Sequence, residues 1–126
     1  MTQEEKQLLL IDLCARLPYY VKVKVWLKDG TTEEGPLDLE HNYGDVLQDA
    51  FYFGKIKDIK PYLRPMSSMT EEEKDEYNKT YDWDYGIQGT PFDWLNSHHF
   101  DYHGLIPKGL ALEAPKDMYN FNNKEK

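Results

Sequence analysis

The sequence predicts an α+β domain: an N-terminal helix, a curled antiparallel sheet of four to five strands, and two further helices in the C-terminal half. Three observations carry this expectation. Apolar residues recur every three or four positions over the first turns of the chain, they alternate strictly from Tyr20 to Lys28, and two Thr-led segments with acids close behind, at Thr70 and Thr90, open helical patterns later on.

The first helix begins at a capping box, Thr2-Gln3-Glu4-Glu5, in which the Thr2 hydroxyl and the Glu5 carboxylate each satisfy the other's backbone amide. Leu9, Leu10, Leu13, Cys14 and Leu17 share one face, widened by Leu8 and Ile11. Pro18 ends the helix, because the residue before a proline is pushed out of helical geometry. Cys14 is the single cysteine, so no intramolecular disulfide can form; a buried, inert thiol in a reducing compartment is expected.

Val21, Val23, Val25 and Leu27 alternate with Tyr20, Lys22, Lys24, Trp26 and Lys28, the period of a half-buried strand. Asp29-Gly30 is a turn signal, and a second strand is expected from Thr31 to Leu39, with Pro36 marking an edge or bulge. "VLQDAFYF" and "KIKDIKPYL", either side of Gly54, read as two more strands. Thr70 and Glu73 form a second capping box, and Glu71 to Glu73 sit where a helix dipole favours negative charge. Thr90-Pro91-Phe92-Asp93 opens the third helix, with proline at the position where its missing amide costs nothing. "SHHFDYHG" (residues 97–104) is expected as that helix's last turns, closed by Gly104. "GLIPKGLALEAP" reads as a short strand or irregular segment packed on the core. Residues 1–115 are expected as a single globular domain and 116–126 as a frayed tail.

Composition narrows the function classes. At 126 residues, 40% hydrophobic and 14% aromatic, the chain can bury a core without staples and is too apolar for disorder. The acidic start "MTQEEKQ" is unlike a secretory signal, and no apolar run approaches the ~18 residues of a membrane span, so a cytoplasmic location and no membrane partner are expected. Net charge is −8, and residues 65–126 carry six Lys against twelve acids. That balance disfavours non-specific contact with phosphate backbones, which clustered Lys and Arg drive. There is no phosphate-binding or dinucleotide glycine motif and no nucleophile elbow, so no cofactor is expected and catalysis finds no support.

Three groups of residues remain as candidates. The first is the acidic-aromatic stretch "TYDWDYGIQGTPFDW", whose Tyr81, Trp83, Asp84, Tyr85 and Trp94, with His98, His99, Asp101 and His103 beyond them, form a candidate surface for a partner or ligand. Rings flanked by carboxylates suit a cation or a binding hot spot. The second is the Lys22, Lys24, Trp26, Lys28 face, where lysines and aromatics interleave as single-stranded nucleic acid would require; the plainer reading is a strand edge blunted by lysine. The third is a metal set of His99, His103 and Asp101. Its histidines stand four apart as on a zinc-binding helix, but Phe100 occupies the place of a catalytic glutamate and no cysteine completes a structural site.

Two resemblances add to this reading. "VKVKVWLKDGTTEEGPLDLEHN" resembles the first motif of Sm-like RNA-binding proteins, through Val21, Val23, Gly30, Gly35, Leu37 and Asn42; it implies a small curled barrel and, as an alternative function, RNA binding. The second Sm motif is absent and Pro36 interrupts the G-x-L of the first. "KPYLRPMSSMTEEE" (Lys60–Glu73) and "DWLNSHHFDYHGLIPKGLALEAP" (Asp93–Pro115) resemble a family of small proteins of gut anaerobic bacteria, their phages and other mobile elements. That resemblance implies such a setting and brings no activity and no catalytic residues. The resulting expectation is a non-enzymatic interaction protein that engages a host protein or sequesters a small molecule. Nucleic-acid binding through the lysine face and a His/Asp metal-dependent hydrolase are the alternatives. A homo-oligomer is compatible with the composition.

Overall fold

The computed structural model describes residues 2–37, 56–81 and 91–119. Helix α1 (Gln3–Arg16) starts at the expected capping box: Thr2 N–H donates to Glu5 Oε1 at 2.9 Å, and Glu5 N–H donates to Thr2 Oγ1 at 3.0 Å. A single 3-10 turn, Leu17–Tyr19, follows, and Tyr20 closes it in the left-handed region at φ 59°. Strands β1 (Lys22–Leu27) and β2 (Thr32–Pro36) form a hairpin around Lys28-Asp29-Gly30. Asp29 Oδ1 accepts from both the amide and the hydroxyl of Thr31, and Gly30 takes the positive φ of 94° that the turn needs.

Strand β3 (Ile56–Leu63) pairs antiparallel with β1, opposing Val25 to Ile59 and Val23 to Pro61. Pro61 has no N–H to give, so the β1-facing bonds fall on the alternate residues, and a mid-strand proline is tolerated. Helix α2 (Glu71–Lys79) repeats the capping box on Thr70 and Glu73, and α3 spans Pro91–Ser97. Strand β4 (Leu112–Glu113) completes the order β2-β1-β3-β4.

The α+β class holds, and the sheet differs from expectation in two ways. It is mixed, because β4 runs parallel to β3. A parallel neighbour needs a long crossover, and the chain between β3 and β4 provides one by way of α2 and α3. Among the described residues the sheet is also open, with β2 and β4 at its edges, and is not closed into a barrel. The expected strand "VLQDAFYF" lies outside the described residues.

The core lies between α1 and one face of the sheet. Leu9 and Leu13 of α1 pack over Val21, Val23, Val25, Ile59 and Leu63, and Leu105, Leu110 and Ala111 close the same cluster from the C-terminal segment. Cys14, expected to be buried, is exposed. Asp12 and Arg16 take its place on the inward face, as described below. The chain beyond residue 115 docks at least as far as Tyr119, whose hydroxyl donates to Tyr62 O at 2.9 Å and accepts from Lys22 N–H at 2.7 Å. Of the tail expected to fray, residues 116–119 are described and residues 120–126 lie outside the described residues.

Candidate functional site

Helix α3 stops at Ser97, so "SHHFDYHG" is not its last turns. His99 occupies the left-handed region at φ 65°, the place usually given to glycine past a helix end. Phe100 N–H reaches back to Leu95 O at 3.0 Å and His99 N–H to Asn96 O at 3.1 Å, the paired bonds of a Schellman stop. Histidine is one of the few non-glycine residues enriched there. The chain then runs beside the end of β3, where Arg64 N–H donates to His99 O and Asp101 N–H to Arg64 O.

This path sends the predicted metal ligands to different partners. The His99 ring is 5% exposed and stacks on Tyr119, with centroids 3.9 Å apart. Burial first, then the nearby Arg16 charge, pushes its pKa down to about 3. Asp101 spends both carboxylate oxygens on the amides of Leu105 and Ile106. His103 places Nδ1 2.7 Å from Asp12 Oδ2. Among the described residues no three His, Cys, Asp or Glu side chains gather to hold a metal ion.

Asp12 and Arg16 form a buried pair that the sequence reading missed. Both are 0% exposed, and Arg16 Nε and Nη2 meet the two Asp12 oxygens at 2.6 and 3.1 Å. Arg16 Nη2 also donates to Phe100 O at 2.7 Å, and the Tyr102 ring lies 5.2 Å from the guanidinium. The signal was present: positions 9, 12, 13 and 16 share a helical face, and two of the four are charged.

The aromatic surface is built on α2 and α3. Tyr81 is 62% exposed and shares a hydroxyl–hydroxyl bond with Tyr77 at 2.9 Å. That bond, with burial behind it, pushes the Tyr77 pKa up to about 12. Tyr77 packs against Trp94 at 5.5 Å, and Trp94 stacks on His98 at 3.9 Å. His98 Nδ1 donates to Trp94 O at 2.9 Å, which fixes the ring under the indole. Phe92, 59% exposed, leans on Tyr102, which touches His103. Trp83, Asp84 and Tyr85 lie outside the described residues, as does Thr90. Arg64 anchors the base of the surface: it grips Glu73 with two bonds of 2.9 and 2.8 Å and lies 4.2 Å over Phe100. Burial pulls Glu73 upward, but the Arg64 bonds outweigh it and hold the carboxyl below its ordinary range.

The lysine face is largely self-paired. Lys24 and Lys60 both lie over the Trp26 ring, at 5.3 and 5.7 Å, and Lys24 Nζ is 3.9 Å from Glu34. Lys22 is exposed on β1, whereas Lys28 falls in the turn beyond the strand. No described helix is long and apolar enough to cross a membrane. Compared with protein-family models, curated proteins and solved structures, the chain matches none.

Proposed function

We propose that this protein is a non-enzymatic binding protein of phage or mobile-element type, and that it engages a host protein through the aromatic-acidic surface of α2 and α3. The observation that supports this reading is the run of rings from Tyr81 through Tyr77 and Trp94 to His98, beside the exposed Phe92. Tyr81 and Phe92, each more than half exposed, sit on a ledge and not in the walls of a cleft. A ledge suits a protein surface, because small-ligand sites enclose most of their ligand. Glu72, Asp75 and Glu76 are exposed along α2, so the matching partner surface carries Lys or Arg, which both the carboxylates and the ring faces attract. Nucleic acid is disfavoured by the same charges and by the self-pairing of Lys24 and Lys60.

The test compares wild type with the Tyr81→Ala/Phe92→Ala double variant. Both are used to retain proteins from a host lysate, and the retained protein is then purified and titrated directly. A basic host protein that binds wild type and loses at least about tenfold in affinity to the variant supports the reading, since exposed aromatic anchors carry ~1–3 kcal/mol each. Equal binding by both chains refutes it. So does binding of a single-stranded oligonucleotide that is lost on replacing Lys22 and Lys24.

A further inference from the structure

His103 has one ring nitrogen turned inward and one left over. Nδ1 lies 2.7 Å from Asp12 Oδ2, and Asp12 is fully buried and ion-paired to Arg16. A carboxylate in that pair only accepts, so the ring carries its proton on Nδ1 and, when neutral, keeps its lone pair on Nε2. The His103 side chain is 27% exposed. Among the described residues Nε2 has no hydrogen-bond partner, and it is not sealed from solvent.

The surroundings of that nitrogen suit a cation. His103 touches Tyr102 with ring centroids 4.4 Å apart, and Phe92, 59% exposed, leans on Tyr102 at 5.3 Å. The three rings form one corner of the ledge. Burial first raises the Tyr102 pKa; of the charges acting on it, Asp12 and Asp93 add to the rise and Arg16 opposes it. Arg16 is fully buried and bonds Asp12 and Phe100 O, so it offers nothing to a partner.

We infer that this corner takes an arginine side chain of the partner, with one guanidinium N–H donated to His103 Nε2 and the planar group laid against Phe92. The contact rests on the partner surface proposed above and names the residue that this surface selects. Arginine fits better than lysine because its flat fork stacks on a ring while donating in its own plane. Asp12 is a positioning residue: it fixes the tautomer and never meets the partner. A partner carboxylate finds no donor at Nε2 of the neutral ring.

The experiment uses the full-length protein, ¹⁵N-labelled in backbone and histidine rings, at about pH 8, above the ordinary range of histidine titration. The probes are N-acetyl-arginine methylamide and its uncharged counterpart N-acetyl-citrulline methylamide. Long-range ¹H–¹⁵N spectra show which ring nitrogen is protonated, and Nδ1–H is expected at His103. The arginine probe should shift Nε2 and the Phe92 amide along one saturable curve, and the citrulline probe should bind about fivefold more weakly. His103→Asn keeps a side-chain N–H for Asp12 and lacks Nε2. Followed at the Phe92 amide, it should weaken the arginine probe about threefold to tenfold. The inference is overturned if the proton sits on Nε2, if the arginine probe gives no saturable shift there, if citrulline binds as well as arginine, or if His103→Asn binds arginine like wild type. A host protein that loses affinity to Tyr81→Ala/Phe92→Ala but binds His103→Asn like wild type overturns this inference and leaves the partner surface standing. An arginine contact at Nε2, with no host protein that depends on Tyr81 and Phe92, supports this inference and overturns the partner surface.

Discussion

Acidification should destabilise the fold through His99, and by an amount the structure sets. The ring is 5% exposed, stacked on Tyr119, and held neutral down to a pKa of about 3. In the unfolded chain it titrates near its ordinary value of 6.5. Between those two values the unfolded state binds a proton that the folded state refuses, so stability is complete above pH 6.5 and falls as pH drops. From pH 7 to pH 5 the loss is about 2 kcal/mol, at 1.36 kcal/mol per unit over roughly one and a half units. Urea unfolding of wild type and His99→Asn at both pH values measures it. Asparagine tolerates the left-handed backbone, so the variant loses the stacking but keeps the helix stop. Its absolute stability falls, yet its pH dependence should be flatter than wild type by those ~2 kcal/mol. Other groups titrate in both proteins and cancel in the comparison. Equal pH slopes would refute the assignment of a buried, neutral His99.

Further outcomes follow from the same geometry, each read by urea unfolding at pH 7. Asp12→Ala leaves the fully buried Arg16 charge without its carboxylate and should cost about 3–5 kcal/mol. Adding Arg16→Met to it should recover part of that loss, because no uncompensated charge then remains. Tyr119→Phe removes the hydroxyl shared by Lys22 N–H and Tyr62 O and should cost about 1–3 kcal/mol; no change would mean the segment past residue 115 is not docked. Thr70→Ala should cost about 1 kcal/mol through the lost cap on α2.

What was legible in the sequence was local. Capping boxes at Thr2 and Thr70, the alternating valines and the Asp29-Gly30 turn each depend on contacts within a few residues, whereas Pro18 does not push Leu17 out of helical geometry and lies inside the 3-10 turn after α1. The boxes, the alternation and the turn appear in the structure. What was not legible depends on distant partners. The parallel placement of β4 is decided by where the crossover lands, and two residues of strand give no periodic signal. The exposure of Cys14 follows from which side of α1 meets the sheet, and that is set by Leu9, Asp12, Leu13 and Arg16 together. A purely apolar reading of the helix face rotates it the wrong way, since it discounts the two charged residues that belong inside. Of the candidate surface, Tyr81, Trp94 and His98 lie along one run of rings linked by Tyr77, whereas His99, Asp101 and His103 take separate partners.

That separation changes what "SHHFDYHG" is. Histidines at a four-residue spacing share a face only while the helix continues, and the left-handed turn at His99 ends it. Each side chain is then used for cohesion. His98 supports the indole of Trp94, His99 fills a buried slot beside Tyr119, Asp101 caps the following turn, and His103 completes the Asp12–Arg16 pair. The backbone is tied from both sides, by Arg64 at the end of β3 and by Arg16 from α1. Arginine suits this role because its planar fork meets a carboxylate and a carbonyl at once. The segment therefore acts as a clasp that joins α1, β3 and α3. A clasp of this kind holds Trp94 and Tyr102, while Tyr81 and Phe92 stay more than half exposed. Rigid aromatics presented at low entropic cost are what a binding surface needs. In the proposed binding function, the histidines hold the surface in place.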